Sequence, residues 1–189
     1  MRKFLAVLLS LLWLSAAPAL AAGEGAKVKV GQPFPSVEFQ APEDAGQRAY
    51  LGLKAGEGLD PIKVDAPLVI VEFLNIYCSH CQRQAPSVNA LYRLIQNKGW
   101  GDKIKMVGVG ASNGDEEVAG YVRYYKVPFP VVPDYKLRCV DVLGQVYTPY
   151  FVAILRLTDG SNRVLYAASG ELPPHEEFLK DLAAQAGLR

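Results

Sequence analysis

The seven-residue run LVIVEFL, residues 68–74, constrains the fold of this chain more than any other feature. It is almost continuously apolar, as expected of a strand in the middle of a sheet that is covered on both faces. Cys78 and Cys81 follow it, and then comes an amphipathic helical pattern that ends near Gly99. This order predicts a buried strand, a tight turn that carries a cysteine pair, and a long helix.

The rest of the chain continues to alternate between strand and helix patterns. We predict strands at 105–109, 129–132, 150–157 and 163–168, and helices after Ser112 or Asn113, at 135–142 and at 173–186. The segment 23–66 is rich in Gly, Pro and Asp, and we predict a strand at 36–40 and a hairpin that extend the main sheet. The pattern indicates one α/β domain, with a mixed central sheet and helices on both faces.

The N-terminus has the layout of a secretory signal. Arg2 and Lys3 precede an apolar run, and small residues surround Ala21. We therefore predict a signal peptide at 1–21, an N-terminal extension at 22–66 and the core domain at 67–189, with an uncleaved membrane anchor as the alternative. The formal net charge of +1 gives no indication of nucleic-acid binding. We expect an exported, periplasmic or otherwise extracytoplasmic protein.

The spacing of Cys78 and Cys81 allows three interpretations: a metal clip, a structural disulfide or a redox dithiol. A tetrahedral metal site needs four ligands, and Cys139, His80 and His175 form no recognisable second half. We expect Cys139 to be a buried residue that packs in the core, and His175 to lie on the surface. A structural disulfide across so short a loop restricts the unfolded chain only slightly. Three cysteines are also too few for a disulfide-stapled scaffold. We therefore favour a redox-active Cys78–Cys81 pair, without metal or cofactor.

The predicted turn gives the two sulfurs different tasks. At a helix N-terminus the thiolate of Cys78 is stabilised, so Cys78 is the expected attacking thiol, and Cys81, one turn further, is the resolving thiol. Ser79 and His80 lie between them as candidate redox-tuning residues, since a protonated His80 lowers the thiolate pKa. Glu72 interrupts the apolar strand, and burial there raises the pKa of its carboxyl, which suits it to exchange the proton of Cys81.

These motifs resemble the thioredoxin family, specifically its exported TlpA-like branch. The resemblance rests on Val71-Glu72-Phe73, on Tyr77 through Cys81, on Ala85-Pro86, on Thr148-Pro149 before a strand, and on Gly170. It implies a thioredoxin-like fold with an inserted strand and helix around 103–126. It also implies a cis peptide bond at Thr148-Pro149, and Tyr77, Thr148 and Pro149 as substrate-binding residues.

The resemblance implies that the protein reduces disulfides in exported apoproteins during the maturation of cytochromes c or of copper sites. The partners are then such protein substrates and a membrane or periplasmic electron donor.

Three other activities stay open. A histidine at position 80 is typical of disulfide-forming oxidases of this fold. A peroxidase is disfavoured because Val71 and Asn75 replace the proline and threonine of the peroxiredoxin motif, and a copper-binding assembly factor is disfavoured because two residues, not three, separate the cysteines.

Overall fold

A five-stranded mixed sheet forms the centre of the computed structural model, which describes residues 25–188. The spatial order of the strands is β3-β2-β1-β4-β5. β1 and β2, and β2 and β3, pair in parallel, whereas β1 and β4, and β4 and β5, pair antiparallel. The strands are β1 (Leu68–Leu74), β2 (Ile104–Ala111), β3 (Val131–Asp134), β4 (Tyr150–Arg156) and β5 (Asn162–Ser169).

Helices cover both faces of this sheet. The first hydrophobic cluster includes side chains of the second, third and fifth helices, and the second cluster includes side chains of the first and fourth. The predicted mixed sheet between two helical layers is therefore confirmed. The helices are α1 (Ala45–Leu51), α2 (Ser79–Asn97), α3 (Asp115–Tyr125), α4 (Arg138–Leu143) and α5 (His175–Ala186), and Pro61–Lys63 forms a short 3-10 turn.

The central strand β1 matches the predicted run and is buried along its whole length. Its side chains alternate between the two faces, so Ile70 and Leu74 pack in the first cluster while Val71 and Phe73 pack in the second. By the same alternation Glu72 points to the first face, under α2 and α3. A carboxyl group thus occupies a position that apolar side chains fill elsewhere on this strand.

The segment before β1 differs from the prediction. Within the described residues it adds no strand to the sheet, and residues 36–40 contribute only an isolated bridge between Phe39 and Leu59. Pro35 and Pro42 flank this stretch and lack the N–H groups that a ladder needs. Asp44 then caps α1 by accepting a hydrogen bond from the backbone of Gln47.

Two element boundaries also differ. α3 begins after Gly114 instead of after Ser112 or Asn113, because the amide oxygen of Asn113 accepts the backbone N–H of Ile76 and is not free to cap. β3 begins at Val131, two residues later than expected, since Pro130 has no N–H to donate. α1 was not predicted, since a hairpin was expected in its segment, whereas the other strands and helices lie within a few residues of their predicted positions.

The inserted strand and helix of the TlpA-like resemblance correspond to β2 and α3. Gly110, near the end of β2, allows α3 to pack close to the sheet, because a Cβ atom there would lie 2.9 Å from Cγ2 of Val118. This close approach brings α3 beside the turn that carries the cysteines.

The predicted signal segment, residues 1–21, lies outside the described residues. Between residues 25 and 188 no helix has both the length and the apolar character of a membrane-spanning segment.

Candidate active site

Cys78 occupies the N-cap position of α2, so its sulfur lies at the helix N-terminus as predicted. Its side chain is partly exposed, whereas Cys81, one turn further, is completely buried in the first cluster. Both are free thiols here, and hydrogen bonding between them contributes to the raised pKa of Cys81. The turn therefore presents one accessible and one sheltered sulfur.

The pKa of Cys78 is lowered. Desolvation acts in the opposite direction, but backbone N–H groups of Cys81 and His80 and side-chain hydrogen bonds from Thr148 and Cys81 together outweigh it. These donors stabilise the thiolate, as expected for a sulfur at a helix N-terminus. Cys78 is consequently the better nucleophile of the pair near neutral pH.

Cys81 and Glu72 both show the effect of burial. Desolvation raises the pKa of Cys81 to about 12, and hydrogen bonding to and the charge of Cys78 add to this. Desolvation also raises the pKa of Glu72 from 4.5 to about 8. Cys81 thus needs a base to become nucleophilic. The carboxyl group of Glu72 alternates with Ile70 and Leu74 on the face of β1 that packs in the same cluster as Cys81.

Thr148 and Pro149 lie directly beside the accessible thiol. Their peptide bond is cis, as predicted, and Sγ of Cys78 lies 3.3 Å from the carbonyl oxygen of Thr148. Pro149 also borders a cleft of about 230 Å³ between α2 and the loop that follows β5, to which His80, Arg83, Gln84, Ser87, Gly170 and Glu171 contribute.

Ser79 and His80 are both exposed on the first turn of α2. Nδ1 of His80 lies 3.0 Å from the guanidinium of Arg83, and because a guanidinium can only donate, Nδ1 accepts this hydrogen bond. Arg83 thus adds a positive charge beside His80 on this turn. No sequence motif marks Arg83, although its spacing of three residues from His80 is a contact distance on a helix.

The turn that carries Cys78 and Cys81, here called the redox turn, is held in place by the end of β2 and the start of α3. Nδ2 of Asn75 donates to the carbonyl oxygen of Ala111 at 2.8 Å, and the backbone N–H of Ile76 donates to Oδ1 of Asn113 at 3.0 Å. Tyr77, 71% exposed, donates its phenol hydrogen to the carboxylate of Glu117. We name these contacts the inserted-segment clamp. Its two halves lie more than 30 residues apart in the sequence, so only the tertiary structure reveals it.

The side chain of Tyr121 on α3 also reaches the site. Its hydroxyl donates to the carbonyl oxygen of Cys81 at 3.3 Å, and the residue is buried. In the sequence it is an aromatic residue within an amphipathic helical pattern, with nothing to mark it as part of the site.

Neither of the other two candidate residues joins the dithiol. Cys139 is buried at the start of α4, where burial and the carboxyl of Asp134 raise its pKa, which matches the predicted packing role. Ring nitrogen Nε2 of His175 lies 3.1 Å from Oγ of Ser87, and the ring is partly buried, not on the open surface as expected. Among the described residues there is no group of three or more Cys, His, Asp or Glu side chains that could hold a metal ion.

The chain is similar to known thiol-disulfide oxidoreductases, although no family model matches it. The thiol-disulfide oxidoreductase ResA of Bacillus thuringiensis is 24% identical over 158 residues, which cover 82% of this chain and 80% of that protein. ResA of Halalkalibacterium halodurans is 27% identical over 89 residues, 47% of this chain and 48% of that protein. The second match thus spans about half the length of its relative.

Solved structures support the fold. StoA from Bacillus subtilis superposes with a TM-score of 0.55 at 17% identity, over 79% of this chain and 97% of that chain. A thiol:disulfide interchange protein from Bacteroides sp. gives a TM-score of 0.60 at 16% identity, over 85% of this chain and 92% of that chain. The chain thus has a thioredoxin-like fold with a cysteine pair at the N-terminus of α2, and it is similar in sequence to thiol-disulfide oxidoreductases named ResA.

Proposed function

We propose that this protein is an exported oxidoreductase that reduces disulfides in exported apoproteins, of the type that serves cytochrome c or copper-site maturation. The observation that carries the proposal is the asymmetry of the dithiol: the pKa of the accessible Cys78 is lowered, and burial raises the pKa of Cys81 to about 12. In such a pair one sulfur attacks the substrate disulfide and the other resolves the mixed disulfide, and the reduction of a protein disulfide requires both steps.

The proposed reaction has two steps. The thiolate of Cys78 attacks one sulfur of the substrate disulfide, and the other substrate sulfur leaves as a thiolate, which takes up a proton. Cys81 then gives its proton to the carboxylate of Glu72, and its sulfur attacks Sγ of Cys78. The bond between Sγ of Cys78 and the substrate breaks, and the second substrate sulfur leaves as a thiolate that takes up a proton from water. The Cys78–Cys81 disulfide has then formed, and two electrons have passed to the substrate.

The reducing direction is supported by the resemblance of the motifs to the TlpA-like branch and by the similarity of the chain to thiol-disulfide oxidoreductases named ResA. A reductase of this kind needs a membrane or periplasmic electron donor to regenerate its dithiol, and we propose such a partner.

Export is proposed from the N-terminal sequence, with its basic residues, apolar run and small residues at a cleavage position. The substrate is proposed to bind along the edge formed by Tyr77, Thr148 and Pro149. The 3.3 Å contact between the carbonyl oxygen of Thr148 and Sγ of Cys78 supports this edge, because a substrate strand there has its cysteine within reach of Sγ.

The reduction potential tests the direction. The purified protein, without residues 1–21, is equilibrated with glutathione buffers, and its free thiols are counted by mass after alkylation. We expect a potential near or below about −230 mV, as in thioredoxin-type reductases. A potential between about −120 and −180 mV contradicts the reducing role and indicates an oxidase or isomerase. Metal content is measured on the same sample. Metal that copurifies with a protein that forms no Cys78–Cys81 disulfide contradicts the proposal of a redox-active cysteine pair.

A further inference from the structure

Tyr77, the residue before the accessible thiol, has an exposed ring whose far end is fixed. The side chain is 71% exposed, and its hydroxyl donates a hydrogen bond to Oε1 of Glu117 on the inserted helix α3. Three other tyrosines are more exposed, and within residues 25–188 none of their hydroxyls has a hydrogen-bond partner; they are Tyr124, Tyr135 and Tyr147. The ring beside Cys78 is thus held in one place although most of it is exposed to solvent.

The carboxylate of Glu117 is fixed as well. Its Oε2 accepts the backbone N–H of Gly114, the N-cap residue of α3, at 2.8 Å. The hydrogen bonds from Tyr77 and Gly114 lower the pKa of Glu117, so the carboxylate stays ionised near neutral pH. A hydrogen bond to an ionised carboxylate is stronger than one between two neutral groups. Glu117 therefore connects the ring of Tyr77 to the backbone of α3.

The backbone of Tyr77 is tied to the same segment. Its N–H donates to Oδ1 of Asn75 at 2.9 Å, and Asn75 donates to the carbonyl oxygen of Ala111 at the end of β2. β2 and β4 lie on opposite sides of β1 in the sheet. The hydroxyl of Tyr77 is thus fixed on the β2 side of the redox turn, whereas the carbonyl oxygen of Thr148, which Sγ of Cys78 contacts, lies on the β4 side.

A fixed ring matters to a partner that packs on it. An exposed aromatic side chain without such a bond samples several rotamers. A binding partner then has to immobilise the side chain, and the lost rotamer freedom weakens binding. A ring that is already held in the free protein avoids most of this cost. The advantage applies to a partner large enough to cover the ring, and not to a small reagent that reaches only the thiol.

We propose that Glu117 is a positioning residue for substrate binding: it holds the ring of Tyr77 in the conformation on which a polypeptide substrate packs beside Cys78. The inference rests on the proposed function, in which Tyr77 belongs to the substrate-binding edge. Glu117 takes no part in the exchange of thiols and disulfides, and it exchanges no proton with either cysteine. It strengthens the binding of a disulfide that is part of a peptide chain.

Glu117→Ala tests the proposal, since it removes the acceptor of the bond. The reduced protein is mixed separately with a short synthetic peptide closed by an internal disulfide and with dithiobis(nitrobenzoate), which has no peptide chain. Acid quenching and mass spectrometry count the reduced peptide, and absorbance follows the coloured thiolate of the small reagent. We expect the ratio of the two second-order rate constants, peptide over reagent, to fall about 3- to 10-fold, as expected when one more side chain must be immobilised on binding. A change in the reactivity of the Cys78 thiolate alters both rate constants and cancels in their ratio.

Glu116→Ala is the matched control, because Glu116 is an exposed acid in the same turn of α3 and forms no hydrogen bond with Tyr77. It removes the same charge and should leave the ratio unchanged. An equal fall in both variants, or no fall in Glu117→Ala, overturns the inference. A wild-type protein that reacts with dithiobis(nitrobenzoate) and leaves the peptide oxidised contradicts instead the proposed function.

Two further variants show whether the effect passes through the hydrogen bond. Tyr77→Phe removes the hydroxyl but keeps the ring and the bond between Glu117 and Gly114, so it tests the proposal even if Glu117→Ala alters the start of α3. It should lower the ratio about as much as Glu117→Ala does. The double variant should lower it no further, because the same bond is lost in all three proteins. Effects that multiply in the double variant, or an unchanged ratio in Tyr77→Phe, overturn the inference.

Discussion

At the scale of single residues, the site depends on three ionisable groups whose surroundings differ sharply. Hydrogen-bond donors at the N-terminus of α2 lower the pKa of Cys78, while burial raises the pKa of Cys81 and of Glu72. Each shift has its cause in the position of the residue: one at a helix end, one within the first helical turn, one inside a buried strand. The residues take different chemical roles because the fold places them in different environments.

The asymmetry predicts which cysteine holds a substrate. We expect Cys81→Ser to accumulate mixed disulfides between Cys78 and its substrates, because the sulfur that releases them is absent. Non-reducing gels and mass spectrometry after acid quenching measure the adducts. Cys78→Ser is the matched variant and should trap few or none, since Cys81 is buried and its thiol has a pKa of about 12. Preferential trapping by Cys78→Ser reverses the two roles.

Glu72 predicts a pH dependence of stability. Folding raises the pKa of the Glu72 carboxyl from 4.5 to about 8, so between these pH values the native state binds more protons than the unfolded state. The stabilisation that this group contributes is complete below about pH 4.5 and is lost as the pH rises to 8. Glu72→Gln lacks this loss. We expect the two oxidised proteins to be similarly stable near pH 4.5, and the variant to be more stable at pH 8.5 by roughly 3 to 5 kcal/mol.

Urea unfolding of both proteins at the two pH values measures this difference, because all other titrating groups are shared and cancel. Equal stabilities at pH 8.5 contradict the raised pKa of Glu72. A larger stability of the wild-type protein at that pH contradicts it more strongly, since it requires a paired, ionised carboxylate.

At the scale of elements, the inserted pair β2 and α3 does more than widen the sheet. Their connecting turn forms the inserted-segment clamp, and Tyr121 adds a contact with the first turn of α2. Asn113 is the centre of the clamp, since it is completely buried and accepts the N–H of Ile76. The redox turn is thereby fixed from a part of the chain that follows it by more than 30 residues.

We expect Asn113→Ala to destabilise the protein by about 1 to 3 kcal/mol, because it leaves the N–H of Ile76 without its acceptor. Amide hydrogen exchange at Ile76 should become faster, and the effect should extend to the first turn of α2. The control is Glu116→Gln, an exposed residue of the adjoining helical turn, which should change neither quantity by much. Unchanged exchange at Ile76 in Asn113→Ala shows that the clamp does not hold the redox turn.

At the scale of the whole molecule, the N-terminal extension belongs to the core. Phe34, Phe39 and Leu51 are buried in the second cluster, against Val71, Phe73 and Val109 of the sheet. Without residues 25–66 this face of β1 and β2 loses much of its apolar cover. The predicted boundary at residue 67 therefore divides the sequence at a change of pattern, whereas the hydrophobic cluster extends across it.

Phe34→Ala measures how far the extension stabilises the fold. Phe34 is 1% exposed, and we expect its truncation to reduce the free energy of unfolding by about 3 to 5 kcal/mol, through lost burial and the cavity that remains. Val30→Ala is the control, because Val30 is 59% exposed and should cost little. Urea unfolding followed by circular dichroism provides both values, and equal effects of the two variants contradict a structural role of the extension.

The sequence alone determined those features that depend on local pattern. The apolar run of β1, the amphipathic period of α2 and the hairpin of β4 and β5 are readable because each reports burial along its own length. The positions of Cys78 at a helix N-terminus and of Glu72 within a buried strand follow from the same patterns. The thioredoxin-like fold and the cis peptide bond at Thr148-Pro149 came from the resemblance of these motifs to a family.

Only the tertiary structure decided what depends on contact between distant segments. Residues 36–40 have the alternation of a strand, yet strand formation requires a partner edge, and this stretch meets one only at the bridge between Phe39 and Leu59. Asn113, Tyr121 and Arg83 gain their roles from the chain segments beside them, and their residue types alone do not reveal this. Periodicity encodes which side of an element is buried, but the identity of the neighbour that buries it is a property of the assembled fold.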